Sequence, residues 1–425
     1  ADNISGLLRE PSLEEYVSSK SKNNITGYFM QIGIDDFEEI NGRFGLKCGD
    51  EILKQFSRCM QSCINENQKI YELGNGRFII MDLANHSKED ILELYDELKK
   101  SIEVALEENV YRMVYTISVG IVEIDKEMQD YDTLIKYSEF ALNEAKKKGK
   151  NSCYFFTQDK YKQFIRRREI RVELQNAVDH NFKNFDVYYQ PIIDIHTRNL
   201  IGAEALMRFK MKRNEQIEFV SPAEFIPILE ESGLIIPTGR WILRQAVACC
   251  KKWQEFIPEF KVNVNLSYVQ IIKSKILDEI KQALKDFNLK PALLGIEVTE
   301  SGYLENTYHY KKLWSSLKEE GITLILDDYG TGYSNAYRLS DLTPHYIKID
   351  RVLTQKALFS NYERSILIYI IEMAHSLKLN VCIEGVETEE ELQEIKKLNP
   401  DYIQGYLFGK PAPEDEFYNR QIKKK

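Results

Sequence analysis

In the second half of this chain, one short apolar run after another stops on a side chain that carries chemistry. The runs 200–204, 262–265, 296–297, 324–328, 346–348 and 381–384 close on Glu204, Asn265, Glu297, Asp327 with Asp328, Lys348 and Glu384. Helical segments separate them, and strands alternating with helices build a parallel barrel or a doubly wound sheet, whose functional groups gather at the carboxyl ends of the strands. Carboxylates and carboxamides crowded at one rim repel one another unless cations sit among them. The pattern therefore points to bound metal.

The metal is a hard one. Oxygen donors with no histidine among them select Mg2+ or Mn2+ over Zn2+. All six histidines, His86, His180, His196, His309, His345 and His375, lie away from the rim residues. The vicinal pair Asp327-Asp328 can serve two cations, and two cations clamp the attacking and leaving oxygens of a phosphoryl displacement. Lys348 adds a compact positive charge where a water or a phosphate oxygen can be held. An acid at one strand end is usually a solvated loop residue; the succession of them is what carries weight.

The rest of the chain sets bounds. At 425 residues it should hold at least two domains, and a formal charge of -9 leaves no basic surplus for binding a nucleic-acid polymer. The seven cysteines form no CxxC pair, which reads as reduced thiols in a cytoplasmic protein. No run reaches the length of a membrane span and no signal peptide opens the chain. The sequence reads as a piece of a longer protein, whose parent could be membrane-attached through a segment before Ala1.

Along the first half, a strand over 26–34 precedes a helix through 48–63. A hairpin at 69–81 turns on Gly74-Asn75-Gly76, residues that tolerate positive φ. A helix near 87–107, a strand at 114–122 and a helix near 132–148 closed by Gly149 complete an α+β unit. A linking helix covers 158–180, with Arg166, Arg167 and Arg168 read as solvated surface. Strands near 187–194, 200–209, 261–267, 293–298, 323–328, 346–350, 380–386 and 402–408 then give the measure of a (β/α)8 barrel. The expected organisation is an α+β domain over 1–157, the linking helix, and a TIM-like α/β barrel over 181–425.

Here a resemblance becomes specific. Glu204-Ala205-Leu206 with Arg208 is similar to the EAL signature of the cyclic di-GMP phosphodiesterases. Gln190-Pro191, Asn265-Leu266-Ser267, Glu297-Val298-Thr299-Glu300, the run 327–334, Lys348-Ile349-Asp350, Glu384-Gly385-Val386-Glu387 and Gln404-Gly405-Tyr406 follow in the same order. The resemblance implies two ions, Mg2+ or Mn2+, one held by Glu204, Asn265, Glu297 and Asp327 and the other by Asp327, Asp328 and Glu384. It implies that Lys348 steers the attacking water, that Glu384 is a candidate general base, and that Glu387 supports the site. Glu300 would anchor the loop after Asp328, a loop that resembles the family's dimer-contacting segment and implies a homodimer. Gln190, Leu206, Arg208 and Gln404 would contact cyclic di-GMP, Arg208 through a phosphate. Tyr329 and Asn335 depart from the family pattern, in that loop and not at the metal residues.

The first unit resembles a GGDEF domain, the diguanylate cyclase fold, through Ile34-Asp35-Asp36-Phe37, Ile40-Asn41, Gly45, Gly49-Asp50, Ser118-Val119-Gly120 and Ala145-Lys146. Its signature turn reads Gly74-Asn75-Gly76-Arg77-Phe78, so Gly76 and Arg77 take two acidic positions, Gly33 replaces a metal aspartate, and Glu38 stands where a phosphate-binding lysine is expected. Asn65 and Gln68 stand at the ends of the missing RxxD motif. The resemblance therefore implies a degenerate, non-catalytic domain. Asn41 and Asp50 match the guanine-recognition pair, so weak GTP binding stands beside a structural reading of Asn41 near a helix end and Asp50 in a turn or cap. The sequence thus points to hydrolysis of cyclic di-GMP to linear pGpG, against the alternatives of a non-catalytic cyclic di-GMP receptor and a protein-binding scaffold.

Overall fold

The computed structural model describes residues 2–20, 25–84, 86–107, 114–125, 129–299, 307–330, 339 and 342–423. It divides into two compact units, 1–166 and 167–425, the division falling within the helix Gln158–Asp179. Each is described by itself.

The first unit is a six-stranded sheet in the order β1-β3-β4-β2-β5-β6, from β1 (Leu8–Arg9), β2 (Gly27–Ile34), β3 (Gln68–Gly74), β4 (Arg77–Asp82), β5 (Ile117–Ile124) and β6 (Cys153–Phe155). Successive strand residues point to opposite faces. Tyr28, Met30, Ile32 and Ile34 accordingly pack with Phe56 and Leu98 from the helices Leu46–Cys63 and Lys88–Glu107. Phe29 turns to the other face, with Leu134 of the helix Tyr131–Lys147 and Leu13 and Val17 of the helix Glu10–Lys20. The β3–β4 turn runs through positive φ at Gly74, Asn75 and Gly76. At Gly76 a Cβ would also meet the Phe37 ring at 2.8 Å.

Two helices escape the sequence pattern. Glu10–Lys20 contains a proline and buries only Leu13 and Val17, too thin a stripe for periodicity to find. Phe37–Phe44 carries Asn41-Gly42, a pair that reads as a turn. The longer helix begins at Leu46, capped by Gly45, which puts Asp50 inside a helix and not in the turn or cap expected of it.

The second unit is the expected eight-stranded barrel, with one difference in direction. Its staves are β7 (Phe185–Asp194), β8 (Leu200–Arg213), β10 (Lys261–Asn265), β11 (Leu294–Thr299), β12 (Thr323–Tyr329), β13 (Tyr346–Ile349), β14 (Asn380–Glu384) and β15 (Tyr402–Gln404); β9 (Gln216–Val220) extends β8 and β16 (Ala412–Pro413) pairs with β7. Seven staves run parallel from β8 to β15, and β7 closes the circle antiparallel to both neighbours. The cause is local: only residues 195–199 separate β7 from β8, and a parallel return needs a crossover of a dozen residues or more. Elsewhere helices supply that crossover, as Pro222–Ser232 and Ile235–Trp253 do between β9 and β10.

The barrel is closed at one end by its own side chains. Ile192, Ile325, Tyr346 and Cys382 form a cluster separate from the main apolar shell between strands and helices. Three of them stand two residues before Asp327, Lys348 and Glu384, so the interior turns from apolar to ionic toward the strands' carboxyl ends.

Candidate active site

The ionic layer is organised around one ammonium. Lys348, on β13, is 1% exposed. Its Nζ lies 2.8 Å from Glu204 Oε2, 2.9 Å from Glu297 Oε2, 2.7 Å from Glu384 Oε1 and 3.7 Å from Asp327 Oδ1. These acids come from β8, β11, β14 and β12, so four strands deliver them to one point. Amides complete the shell. Asn265 donates to Glu204 Oε1 (2.7 Å), Gln404 donates to Glu204 Oε2 (2.7 Å) and Gln190 Oε1 (3.0 Å), and Asn263 donates to Glu297 Oε1 (2.8 Å) and to the Tyr346 hydroxyl. Glu204, Glu297 and Asp327 bring donor atoms within 4.8 Å of one another.

Charge at this point does not balance. Burying one carboxylate without compensation costs several kcal/mol, and here Asp328 adds a fifth acid beside Asp327. Glu204 is the best compensated: burial opposes its charge, but Lys348 and the hydrogen bonds from Lys348, Gln404 and Asn265 hold its carboxyl below the usual range. Burial and the repulsion of Glu204 push Glu297 well above it. Burial raises Asp327 and pushes Glu384 up to about 8. Burial and the neighbouring Asp327 push Asp328 up to about 6. Lys348 stays firmly charged, because although burial opposes the ammonium, Asp327, Glu204, Glu297 and Glu384 outweigh it. One ammonium cannot neutralise five carboxylates, and an all-oxygen set left with excess negative charge fits hard divalent cations.

Asp328 sits at φ 56, in the left-handed region that a non-glycine residue occupies at a cost of about 1–3 kcal/mol. Its N–H donates to Asp327 Oδ1 (2.8 Å), so the turn that bends the chain out of β12 also fixes its neighbour's carboxylate.

Above the acids, β8 carries Glu204, Leu206 and Arg208 on one face, because strand residues two apart share a side. Gln190 of β7 is paired across from Glu204 and joins that face. Leu206 is half-buried at the rim. Arg208 donates to the Met207 carbonyl (2.9 Å) and lies over the Tyr188 ring at 5.5 Å, with burial lowering its pKa; no carboxylate pairs with it among the described ion pairs. Glu387 is not brought into the cluster: it pairs with Arg351 at 2.6 Å, and its N–H donates to Glu391. Glu300, like 331–335 of the following loop, lies outside the described residues.

Asn263 and Tyr346 escaped the sequence reading. Asn263 stands two residues before Asn265 on β10 and shares its face, so the alternation that singled out Asn265 could have found it.

The corresponding end of the first unit has a different charge balance. Asp35 is buried and satisfied by Thr116 and Ser118 hydroxyls (2.7 Å each) and the Asn151 N–H (3.0 Å). Asp36 pairs with Lys150 at 2.6 Å, and Arg77 with Glu139 at 3.3 Å. A Cβ on Gly33 would lie 3.2 Å from the Lys146 ammonium. Asn41 nests on Gly49, where a Cβ would come 1.9 Å from its Oδ1, and that buried Oδ1 has no hydrogen-bond partner among the described residues.

Comparison with known proteins accords with both halves. The family model for the EAL domain matches residues 171–411, and that for the diguanylate cyclase, GGDEF domain, matches residues 2–152. The chain is 30% identical to the signaling protein YkoW of Bacillus subtilis over 93% of its own length and 48% of that protein. It is 28% identical to the cyclic di-GMP phosphodiesterase PdeR of Escherichia coli over 100% of its own length and 64% of that protein. The chain thus spans about half to two thirds of the length of these curated relatives. Among solved structures, the PaMucR phosphodiesterase in its c-di-GMP complex superposes with a TM-score of 0.55 at 28% identity, covering 59% of this chain and 99% of that one. No described helix is long and apolar enough to cross a membrane. The barrel, its acid-ringed lysine and these matches lead to one conclusion: the chain belongs to the EAL domain family, with a GGDEF domain preceding that domain in tandem.

Proposed function

We propose that this chain hydrolyses cyclic di-GMP to linear pGpG, with Glu204, Asn265, Glu297, Asp327, Asp328 and Glu384 as the ligands of two divalent cations, Mg2+ or Mn2+. The observation that carries the reading is the unbalanced charge at Lys348, five acids from four strands against one ammonium. When bound, the cations supply Lewis-acid activation of water and neutralise the phosphodiester.

The chain's own groups do the rest. Arg208, half-buried and without a carboxylate partner among the described ion pairs, offers its guanidinium to a phosphate oxygen. Leu206 and Gln190 line the rim beside it and orient the dinucleotide. Gln404 ties Gln190 to Glu204, so a shift of substrate at the rim is felt at a ligand. Lys348 holds the carboxylates in register and presents positive charge to the attacking oxygen. Glu384, whose pKa is pushed up to about 8 by burial, holds a proton until the cations displace it, and as the carboxylate it is then the candidate to accept the proton of the water. Glu387, through its pair with Arg351, supports the chain beyond Glu384.

The GGDEF domain is inferred to be non-catalytic and regulatory. Lys146 crowds the space over Gly33, and Arg77 stands at the hairpin, so cation-binding charge is missing where a cyclase needs it. The unpartnered Asn41 Oδ1 supports weak GTP binding there, with Asp50 as its partner. A homodimer through the barrel domain is supported by exposed Phe359, Tyr362 and Tyr369 on the helices Arg351–Phe359 and Asn361–Ser376.

The test is to incubate the chain with cyclic di-GMP and Mg2+ or Mn2+ and chromatograph for pGpG. Turnover is expected. Tight binding without turnover would replace this reading with that of a receptor, and neither binding nor turnover would leave a scaffold.

A further inference from the structure

The barrel has a second mouth, at the amino ends of its strands and on the far side of the apolar cluster from Lys348. A cavity of about 440 Å³ opens there, and Lys261, Lys318, Lys378 and His345 line it, with Tyr346 and Asn263 among its walls. None of these lysines has a carboxylate within ion-pair distance among the described residues; Lys318 donates only to the Thr343 hydroxyl, at 2.9 Å. The acids at this end are engaged elsewhere. Asp401 accepts from the Val381 N–H (2.8 Å) and lies 2.9 Å from His375 Nε2, Asp194 accepts from the N–H groups of His196 and Thr197, and Glu320 pairs with Lys281. In a chain of net charge -9, a hollow with only positive charge at its lip is a local exception.

Its neutral groups are donors too. The Leu324 N–H donates to His345 Nδ1 at 2.9 Å, which leaves the ring proton on Nε2. Burial and the nearby Lys318 and Lys261 lower the His345 pKa, so the ring stays neutral and keeps that tautomer. Tyr346 is 8% exposed, and its hydroxyl oxygen accepts from Asn263 Nδ2, the same nitrogen that donates to Glu297. The hydroxyl proton must therefore find another acceptor, and none is recorded among the described residues. A buried donor is normally satisfied. Three ammonium groups, an imidazole N–H and a phenol O–H facing one hollow match a multivalent oxyanion, and the cavity is large enough for a small organic group beside it.

We propose that the amino-terminal mouth of the barrel binds a small phosphate-bearing anion, held by Lys261, Lys318, Lys378, His345 and Tyr346. The site is independent of the phosphodiesterase reading. Through Tyr346 and Asn263 its occupant is three hydrogen bonds from Glu297, so occupancy there touches the ionic layer from below.

The experiment is a phosphorus-31 NMR titration of inorganic phosphate with the full chain in EDTA. Saturable broadening is expected for the parent chain and for the Glu204→Gln, Arg208→Ala double variant, which alters the opposite mouth. Lys318→Gln with Lys378→Gln, both at exposed positions, should weaken binding by about tenfold or more, since hydrogen bonds to charged groups are the stronger kind. Tyr346→Phe should weaken it by about threefold, the scale of one hydrogen bond. Absence of saturable binding would overturn the proposal. So would binding that survives loss of the lysines but disappears in the Glu204→Gln, Arg208→Ala variant.

Discussion

The two halves of this molecule each gather charged side chains at the end of a sheet, and the sums differ. Around Lys348 acids outnumber the ammonium, and burial with mutual repulsion pushes Glu384, Asp328 and Glu297 all toward the protonated form. At the end of β2, Asp36 has Lys150, Arg77 has Glu139, and Asp35 is satisfied by hydroxyls and an N–H. Acidic residues alone do not mark a cation site, since the first unit has them. An unmet excess of them does.

The sharpest way to break this contrast is to remove one acid from the excess. Glu204→Gln keeps the shape of the side chain and removes its charge, and turnover should fall by about 10²–10³-fold or more, the scale of losing a group that stabilises charge in the transition state. A variant that retains most of its pGpG production would end the assignment. Next comes Asn263, which touches no cation in the assignment above. Asn263→Ala leaves Glu297 Oε1 without its donor and should lower kcat about tenfold while raising the Mg2+ concentration for half-activity, because an unsatisfied buried acceptor costs about 1–3 kcal/mol. Unchanged Mg2+ dependence in a steady-state titration would show that the amide only fills space.

The excess should also be visible in pH. Raised acids hold protons that a cation must displace, so Mg2+ binding releases protons and weakens as pH falls through about 8 for Glu384 and about 6 for Asp328. Calorimetric titrations at pH 6 and pH 8.5 should show the tighter binding at the higher pH, and equal affinities would contradict the charge count. The smallest effect belongs to the first unit. Gly76→Ala forces a side chain into positive φ against Phe37 and should cost about 1–3 kcal/mol of that unit's stability. Thermal melting should detect it, while cyclic di-GMP turnover at low temperature stays unchanged.

Much of this was legible in the residues. Runs such as 324–326 and 381–383 announce strands buried on both faces, and the acids that close them announce the site. Gly74-Asn75-Gly76 announces its hairpin through backbone freedom. What stayed hidden depends on distance in sequence. No local pattern says that Gln404 reaches Gln190 across the barrel seam, or that the lysine at 146 crowds the place of a side chain missing at 33. Glu387, which the resemblance implied as a support for the site, is turned by the fold toward Arg351, a partner that no local pattern announces.

The reversed first stave has a mechanical consequence. Phe185, where the chain enters β7, lies across from Phe209, at the end of β8 beyond Arg208. The backbone from the helix Gln158–Asp179 therefore joins the barrel at the rim, through the short turn at 180–184, whereas a uniformly parallel barrel would receive it at the floor. Asp186 and Tyr188 face Arg208 and Leu206 across the seam. A twist or pull along that helix would thus reach first the stave that flanks Arg208 and Leu206, the groups proposed above to meet the substrate.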